Sequence, residues 1–268
     1  MIIQLLSIAL ASSLFYPCIV VDHPERNLVW SDEFNYFGSP DSTKWQYDIG
    51  DGCPLLCGWG NQELQYYTQR PENVRVENGM LIIEARKENY ETRHYTSGKL
   101  VTRGKADWKY GRIEVRAKLP SGRGTWPAIW MLSSEQRYGG WPASGEIDIM
   151  EHVGHEPNHV YGSVHTQAYN HVDGTQRTAG IMEFENLFEK TFHNYTIEWT
   201  AEQIQFLMDD IPYMTFDNEH ATYAEWPFDA PFYLILNIAV GGTWGGQQGI
   251  DVAIWPQRME IDYVRVYQ

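Results

Sequence analysis

Positive charge is scarce in this 268-residue chain: 20 Lys and Arg stand against 35 Asp and Glu, a formal net charge of −15. Nucleic-acid binding rests on cations that neutralise phosphates, so the balance argues against a nucleic-acid partner and disfavours a polyanionic ligand. Neutral substrates such as uncharged sugars remain, because hydrogen bonds and ring faces capture them whatever the net charge. Cysteine is scarce too, with Cys18, Cys53 and Cys57 alone. No His lies near the pair in CPLLC, which makes zinc a poor reading there. Internal repeats, low-complexity tracts and long linkers are missing between Asn27 and Gln268, so a single domain is expected over residues 22–268. A chain of this length buries a sizeable core.

Charge is also missing from residues 1–21, MIIQLLSIALASSLFYPCIVV. A secretory signal peptide is expected, and with it a secreted, extracellular protein that keeps no stable membrane partner once the segment is removed. The alternative is a single membrane anchor of similar length. Export would leave Cys53 and Cys57 as an even set in an oxidising compartment, where a short-loop disulfide is expected; two free buried thiols are the alternative.

Amphipathic rings are plentiful. Eleven Trp and seventeen Tyr outnumber ten Phe, a composition suited to flat recognition surfaces. Short alternating segments dominate the rest. GRIEVRAKL (111–119) puts Ile113, Val115, Ala117 and Leu119 on one face and Arg112, Glu114, Arg116 and Lys118 on the other, as a half-buried strand does. NVRVENGMLIIEARKE predicts a hairpin turning at Asn78-Gly79. Further strands are expected at 159–166, 194–200, 203–209, 231–240 and 258–267, and no convincing helix exceeds about three turns. The pattern predicts an all-β, two-sheet antiparallel sandwich of jelly-roll type with a concave cleft.

The stretch GEIDIMEHVG (145–154) holds three carboxylates among apolar residues. In a regular strand Glu146 and Asp148 share one face while Ile147 and Ile149 point to the core, which leaves Glu151 out of step. A one-residue bulge at or near Met150 would restore its parity. Gly145 and Gly154 permit close approach by another stretch of chain. An ordinary exposed face, or a calcium site made of oxygen ligands, are the blander readings. Two nearby carboxylates are also what glycoside hydrolysis requires, one to attack the anomeric carbon and one, held protonated, to donate to the departing oxygen.

With GTWPAIWML (124–132) upstream, AVGGTWGG (239–246) downstream and CGWGNQELQYYT (57–68) near the start, this motif resembles glycoside hydrolase family 16 in its laminarinase (endo-β-1,3-glucanase) branch, over about residues 28–268. The resemblance implies a jelly roll and a retaining mechanism with Glu146 as nucleophile, Asp148 as assistant and Glu151 as acid/base. It implies sugar contacts from Asn61, Arg86, Trp126, Trp130, Trp141, His165 and Trp244 on a β-glucan substrate. No cofactor is implied for catalysis, but a structural Ca2+ is, at Glu33, Gly79 and Asp262, from backbone carbonyls and one carboxylate. Many relatives carry Pro where Gly245 follows Trp244 here, which puts fine specificity in question. Lichenase-like relatives use an acidic motif one residue shorter. The rival readings are a non-catalytic β-1,3-glucan-binding protein and an enzyme cutting another galactan. A monomer is expected, and NYT at Asn194 forms an N-glycosylation sequon.

Overall fold

Period-two alternation sets the strand Gly111–Lys118, whose Ile113, Val115 and Ala117 are fully buried. Its opposite face carries Arg112, Arg116 and Lys118, which pair with Glu114, Asp210, Asp262 and Glu260. In the computed structural model, which describes residues 26–185 and 187–268, this strand lies between His193–Trp199 and Gln257–Tyr267 in a ten-stranded outer sheet. The signal peptide expected over residues 1–21 and Cys18 fall outside the described residues. The Asn78-Gly79 hairpin joins Val74–Glu77 to Met80–Tyr90, with both turn residues at positive φ, 54° and 74°. Such a turn matches the right-handed twist of the strands it connects.

Seven strands form a second sheet, in the order Arg177–Met182, His159–His165, Glu146–Glu151, Thr125–Ser133, Phe232–Val240, Lys99–Val101 and Gln46–Tyr47. We call it the cleft sheet. Phe232–Val240 is buried along its whole length, as a strand covered on both faces must be. Between the sheets lies one continuous apolar core. Ile113, Val115 and Ile261 of the outer sheet share it with Ile129, Met131, Ile147, Ile149 and Leu236 of the cleft sheet. The two-sheet jelly roll expected from the sequence is therefore present.

Three local features depart from a plain antiparallel reading. Gln65–Tyr67 pairs in parallel with Arg93–Ser97. Pro127 sits inside a central strand, where a missing N–H would normally break the ladder. Its carbonyl accepts from His152 N at 3.2 Å, so the absent donor faces the point where Glu146–Glu151 has already ended. Asn194 of the sequon is half-buried within a strand, its amide oxygen accepting from Tyr263 Oη at 3.2 Å. The Cys53–Cys57 disulfide is formed, closing the loop before the short 3-10 turn Cys57–Gly60. No helix among the described residues is long and apolar enough to cross a membrane.

Candidate active site

One extra residue in Glu146–Glu151 gathers the acids. Against Thr125–Ser133, Asp148 pairs with Trp130 and Met150 with Ile129, so Ile149 has no partner of its own. Against His159–His165, Asp148 opposes Ser163 and Glu151 opposes Tyr161, three steps on one strand for two on the other. Ile149 and Met150, though consecutive, are both in the core, at 1% and 0% exposure. This is a β-bulge, and it returns Glu151 to the face of Glu146 and Asp148, beside the expected position. The flanking glycines are needed for packing. A Cβ on Gly154 would lie 1.9 Å from the Gly122 carbonyl oxygen, and one on Gly145 would lie 2.8 Å from Pro227.

All three acids line a cavity of about 580 Å³ on the cleft sheet. Burial, then the neighbouring Asp148 charge, pushes Glu146 up to about 8. Burial likewise raises Glu151 to about 7, with His165 opposing and Glu146 adding to the rise. Asp148, 2% exposed, is pushed well up by burial and then by Glu151. Three carboxyls crowded into one cleft, each raised by burial and by its neighbours, do not all ionise together at neutral pH, so they share protons. Each glutamate has one indole donor: Trp141 Nε1 to Glu146 Oε2 at 2.8 Å, and Trp126 Nε1 to Glu151 Oε1 at 3.0 Å. His165 Nε2 stands 3.2 Å from Asp148 Oδ2.

Of the sugar-contact residues expected from sequence, Asn61, Trp126, Trp130, His165 and Trp244 line this cavity. Trp141 reaches it through Glu146. Arg86 does not line it: it belongs to Met80–Tyr90 of the outer sheet and pairs with Glu84. Trp130 is fixed in place, donating Nε1–H to Asn237 Oδ1 at 2.7 Å. Asn237 in turn donates to Tyr67 Oη at 3.1 Å, and Gln65 donates to buried Glu63 at 2.6 Å. At the Glu151 end, Trp244 packs on Trp126 and on Tyr161, at 5.7 and 5.3 Å between ring centroids.

Sequence reasoning missed Trp59, Glu63, Tyr67, Lys99, Tyr161 and Asn237 as cleft residues. Trp59, Glu63 and Tyr67 stood inside the quoted CGWGNQELQYYT and were legible there. Lys99 carries no local signal, whereas Tyr161 shares the parity of His165 in the expected strand 159–166 and was legible from it. Lys99 Nζ lies over the Trp59 ring at 4.2 Å and the Trp130 ring at 5.0 Å, where burial lowers its pKa. Strand register sets Tyr161 opposite Glu151.

Asp32 pairs with Val264, and a Cβ on Gly79 would meet Asn35 Oδ1 at 3.9 Å. Both Glu33 carboxylate oxygens are taken by Arg265, at 3.0 and 2.8 Å, so only its carbonyl is available as a ligand. The Asp262 carboxylate is 47% exposed and has one oxygen 3.1 Å from Arg116 Nε, leaving the other open. The donors left to a hard cation on the outer sheet are therefore the carbonyls of Glu33 and Gly79 and one Asp262 oxygen.

Comparison with known proteins adds an independent line. The beta-glucanase of Rhodothermus marinus is 59% identical over 253 residues, spanning 91% of this chain and 86% of that protein. The X-ray structure of the laminarinase from Rhodothermus marinus matches with a TM-score of 0.87 at 59% identity, over 91% of this chain and 98% of that one. The crystal structure of SCLam, a non-specific endo-β-1,3(4)-glucanase, matches with a TM-score of 0.85 at 52% identity, over 91% of each chain. Residues 61–265 match the family described as Glycosyl hydrolases family 16. With its fold, its bulged acidic strand and this match agreeing, the chain belongs to glycosyl hydrolase family 16.

Proposed function

We propose that the protein is a secreted, endo-acting, retaining β-glucanase that hydrolyses β-1,3-glucosidic bonds of laminarin-like glucans and accepts mixed-linkage glucans. The observation that carries the reading is the bulge at Ile149, which aims Glu151 into the cavity that holds Glu146 and Asp148. The named activities of the relatives point the same way. Catalysis in this family needs no cofactor.

In the proposed mechanism Glu146 attacks the anomeric carbon while Glu151 protonates the departing oxygen. In the free cleft the proton order is the reverse, with Glu146 at about 8 and Glu151 at about 7. The hydrogen bond between Glu146 and Asp148 removes the conflict. Moving the shared proton onto Asp148 leaves Glu146 ionised, with Asp148 and Trp141 both donating to it. Glu151, raised by burial, keeps its proton for the leaving group. Once Glu146 is esterified its charge is gone, so Glu151 loses its proton more readily and becomes the base that activates water. A glucan-binding protein without chemistry would have no use for three mutually destabilising acids crowded into one cleft, one of them fully buried.

Digestion of laminarin and mixed-linkage glucan by the wild type and by Glu146→Gln and Glu151→Gln tests the roles. Reducing ends are expected from the wild type, with a loss of at least about a thousandfold in either variant. Early products should keep the β configuration by anomeric NMR; inversion, or full activity in either variant, would sink the assignment. In this reading residues 22–268 act as one domain and as a monomer, and the Cys53–Cys57 disulfide supports secretion. A structural Ca2+ on the carbonyls of Glu33 and Gly79 and the Asp262 carboxylate completes it. Chelation with EDTA should lower the melting temperature by a few degrees, and added Ca2+ should restore it.

A further inference from the structure

Glu146, Asp148 and His165 offer one ligand atom each, and these atoms all lie within 4.8 Å of one another. The tightest pair, His165 Nε2 and Asp148 Oδ2, is 3.2 Å apart. That is about the separation of two ligands on a tetrahedral Zn2+ with bonds near 2.0–2.2 Å. Asp148 Oδ2 is buried and has no hydrogen-bond partner of acceptable geometry, although the side chain is only 2% exposed. An orphaned carboxylate oxygen aimed at an imidazole is a costly arrangement that a cation would satisfy. The fourth side of the cluster opens into the cleft, so a water or a substrate hydroxyl has room to complete the shell.

We propose that Glu146, Asp148 and His165 form a three-ligand site for Zn2+ or a similar borderline divalent cation, which competes with the sugar for the cleft. The imidazole nitrogen selects such an ion over Mg2+ and Ca2+, which demand six or more oxygens. The affinity is limited by the outer shell. His165 Nδ1 is buried without a partner, whereas a metal-bound imidazole normally donates its other N–H, and losing such a contact costs ten- to a hundredfold. Binding would therefore be reversible and removable by EDTA. Inhibition follows from the proposed function, because the ion occupies Glu146. Binding itself does not depend on that reading.

The test is calorimetric titration of the full chain with ZnCl2 in a non-chelating buffer, beside Glu146→Gln, His165→Gln and His220→Ala. His220 pairs with Glu202 on the surface and serves as the control. One saturable site is expected in the wild type, weakened at least about tenfold in both cleft variants and unchanged in His220→Ala. Melting curves in EDTA check that each variant is folded. On wild-type protein, Zn2+ and a laminari-oligosaccharide should displace each other, and Zn2+ should raise KM for laminarin without lowering kcat. The absence of saturable binding, wild-type affinity in either cleft variant, or simultaneous binding of ion and sugar would overturn the proposal. Failure to bind or cleave any β-glucan would instead overturn the functional reading, and the titration with its variants would still decide the metal site.

Discussion

Burial raises both cleft glutamates, and one indole N–H on each opposes the rise. Trp126 donates to Glu151 Oε1 and Trp141 to Glu146 Oε2, and a donor to a carboxylate favours the charged form. Trp126→Phe keeps a ring on the cleft wall but removes the donor, so Glu151, already at about 7, moves higher. The acid is then protonated to higher pH, and the basic limb of the kcat/KM profile should shift upward by about half a unit to one unit. Trp141→Phe raises Glu146 instead and should move the acidic limb upward, narrowing the range. A full pH–rate series on laminarin distinguishes the two; a basic limb unmoved in Trp126→Phe would assign it to another group. At Gly245, the position that departs from the proline of many relatives, a Cβ would lie 2.6 Å from the Gly241 carbonyl and 2.8 Å from Trp126 Cβ. Here the sequence showed which residue was unusual, and only the packing shows that its backbone touches Trp126.

The acidic strand tests how far parity governs function. Deleting Ile149 makes the strand regular, and Glu146, Asp148 and the displaced Glu151 would still alternate onto one face. Inserting one alanine before Ile149 also permits a regular strand with all three acids on one face, but carries the third acid two residues further along it, roughly 7 Å farther from Glu146. The deletion variant should therefore retain activity above the level of Glu151→Gln, while the insertion variant should fall to that level. Losing one buried side chain in the deletion costs on the order of 2–4 kcal/mol, visible as a lower melting temperature. Equal inactivity of two folded variants would show that the local geometry of the bulge itself, rather than the facing and spacing of the acids, decides catalysis. The bulge was legible because period-two alternation fails at a single residue. The strand Thr125–Ser133 was quoted as a motif but not read as a strand, since Pro127 breaks the local rule and only the neighbour's early end excuses it. The parallel pairing of Gln65–Tyr67 was likewise invisible, because pairing partners are chosen by the whole fold and not by local pattern. For the same reason Lys99 reaches the cleft without any signal of its own.

For the molecule as a whole, the site is a standing cost. Glu146 titrates near 4.5 when unfolded and near 8 in the cleft, so between those values the folded chain holds a proton that the unfolded chain has lost. The stabilising contribution of that protonation is complete below about 4.5 and is lost as pH rises through about 8. Above that point the fold must carry a buried charge among two other acids, within a chain whose net charge is already −15. Glu146→Gln imitates the protonated glutamate at every pH. Its melting temperature should match the wild type near pH 4 and rise above it through neutrality, reaching a plateau beyond pH 8. The gain should be on the order of 2 kcal/mol, or several degrees for a protein of this size. Glu151→Gln should behave alike but level off about one pH unit earlier, because Glu151 lies near 7. Calorimetric melting of the three proteins from pH 4 to 9 measures both curves. A gain independent of pH would mean that packing, not the buried charge, separates the variants, and a loss at high pH would mean that the charge is held by more favourable contacts than the two indoles and His165 provide.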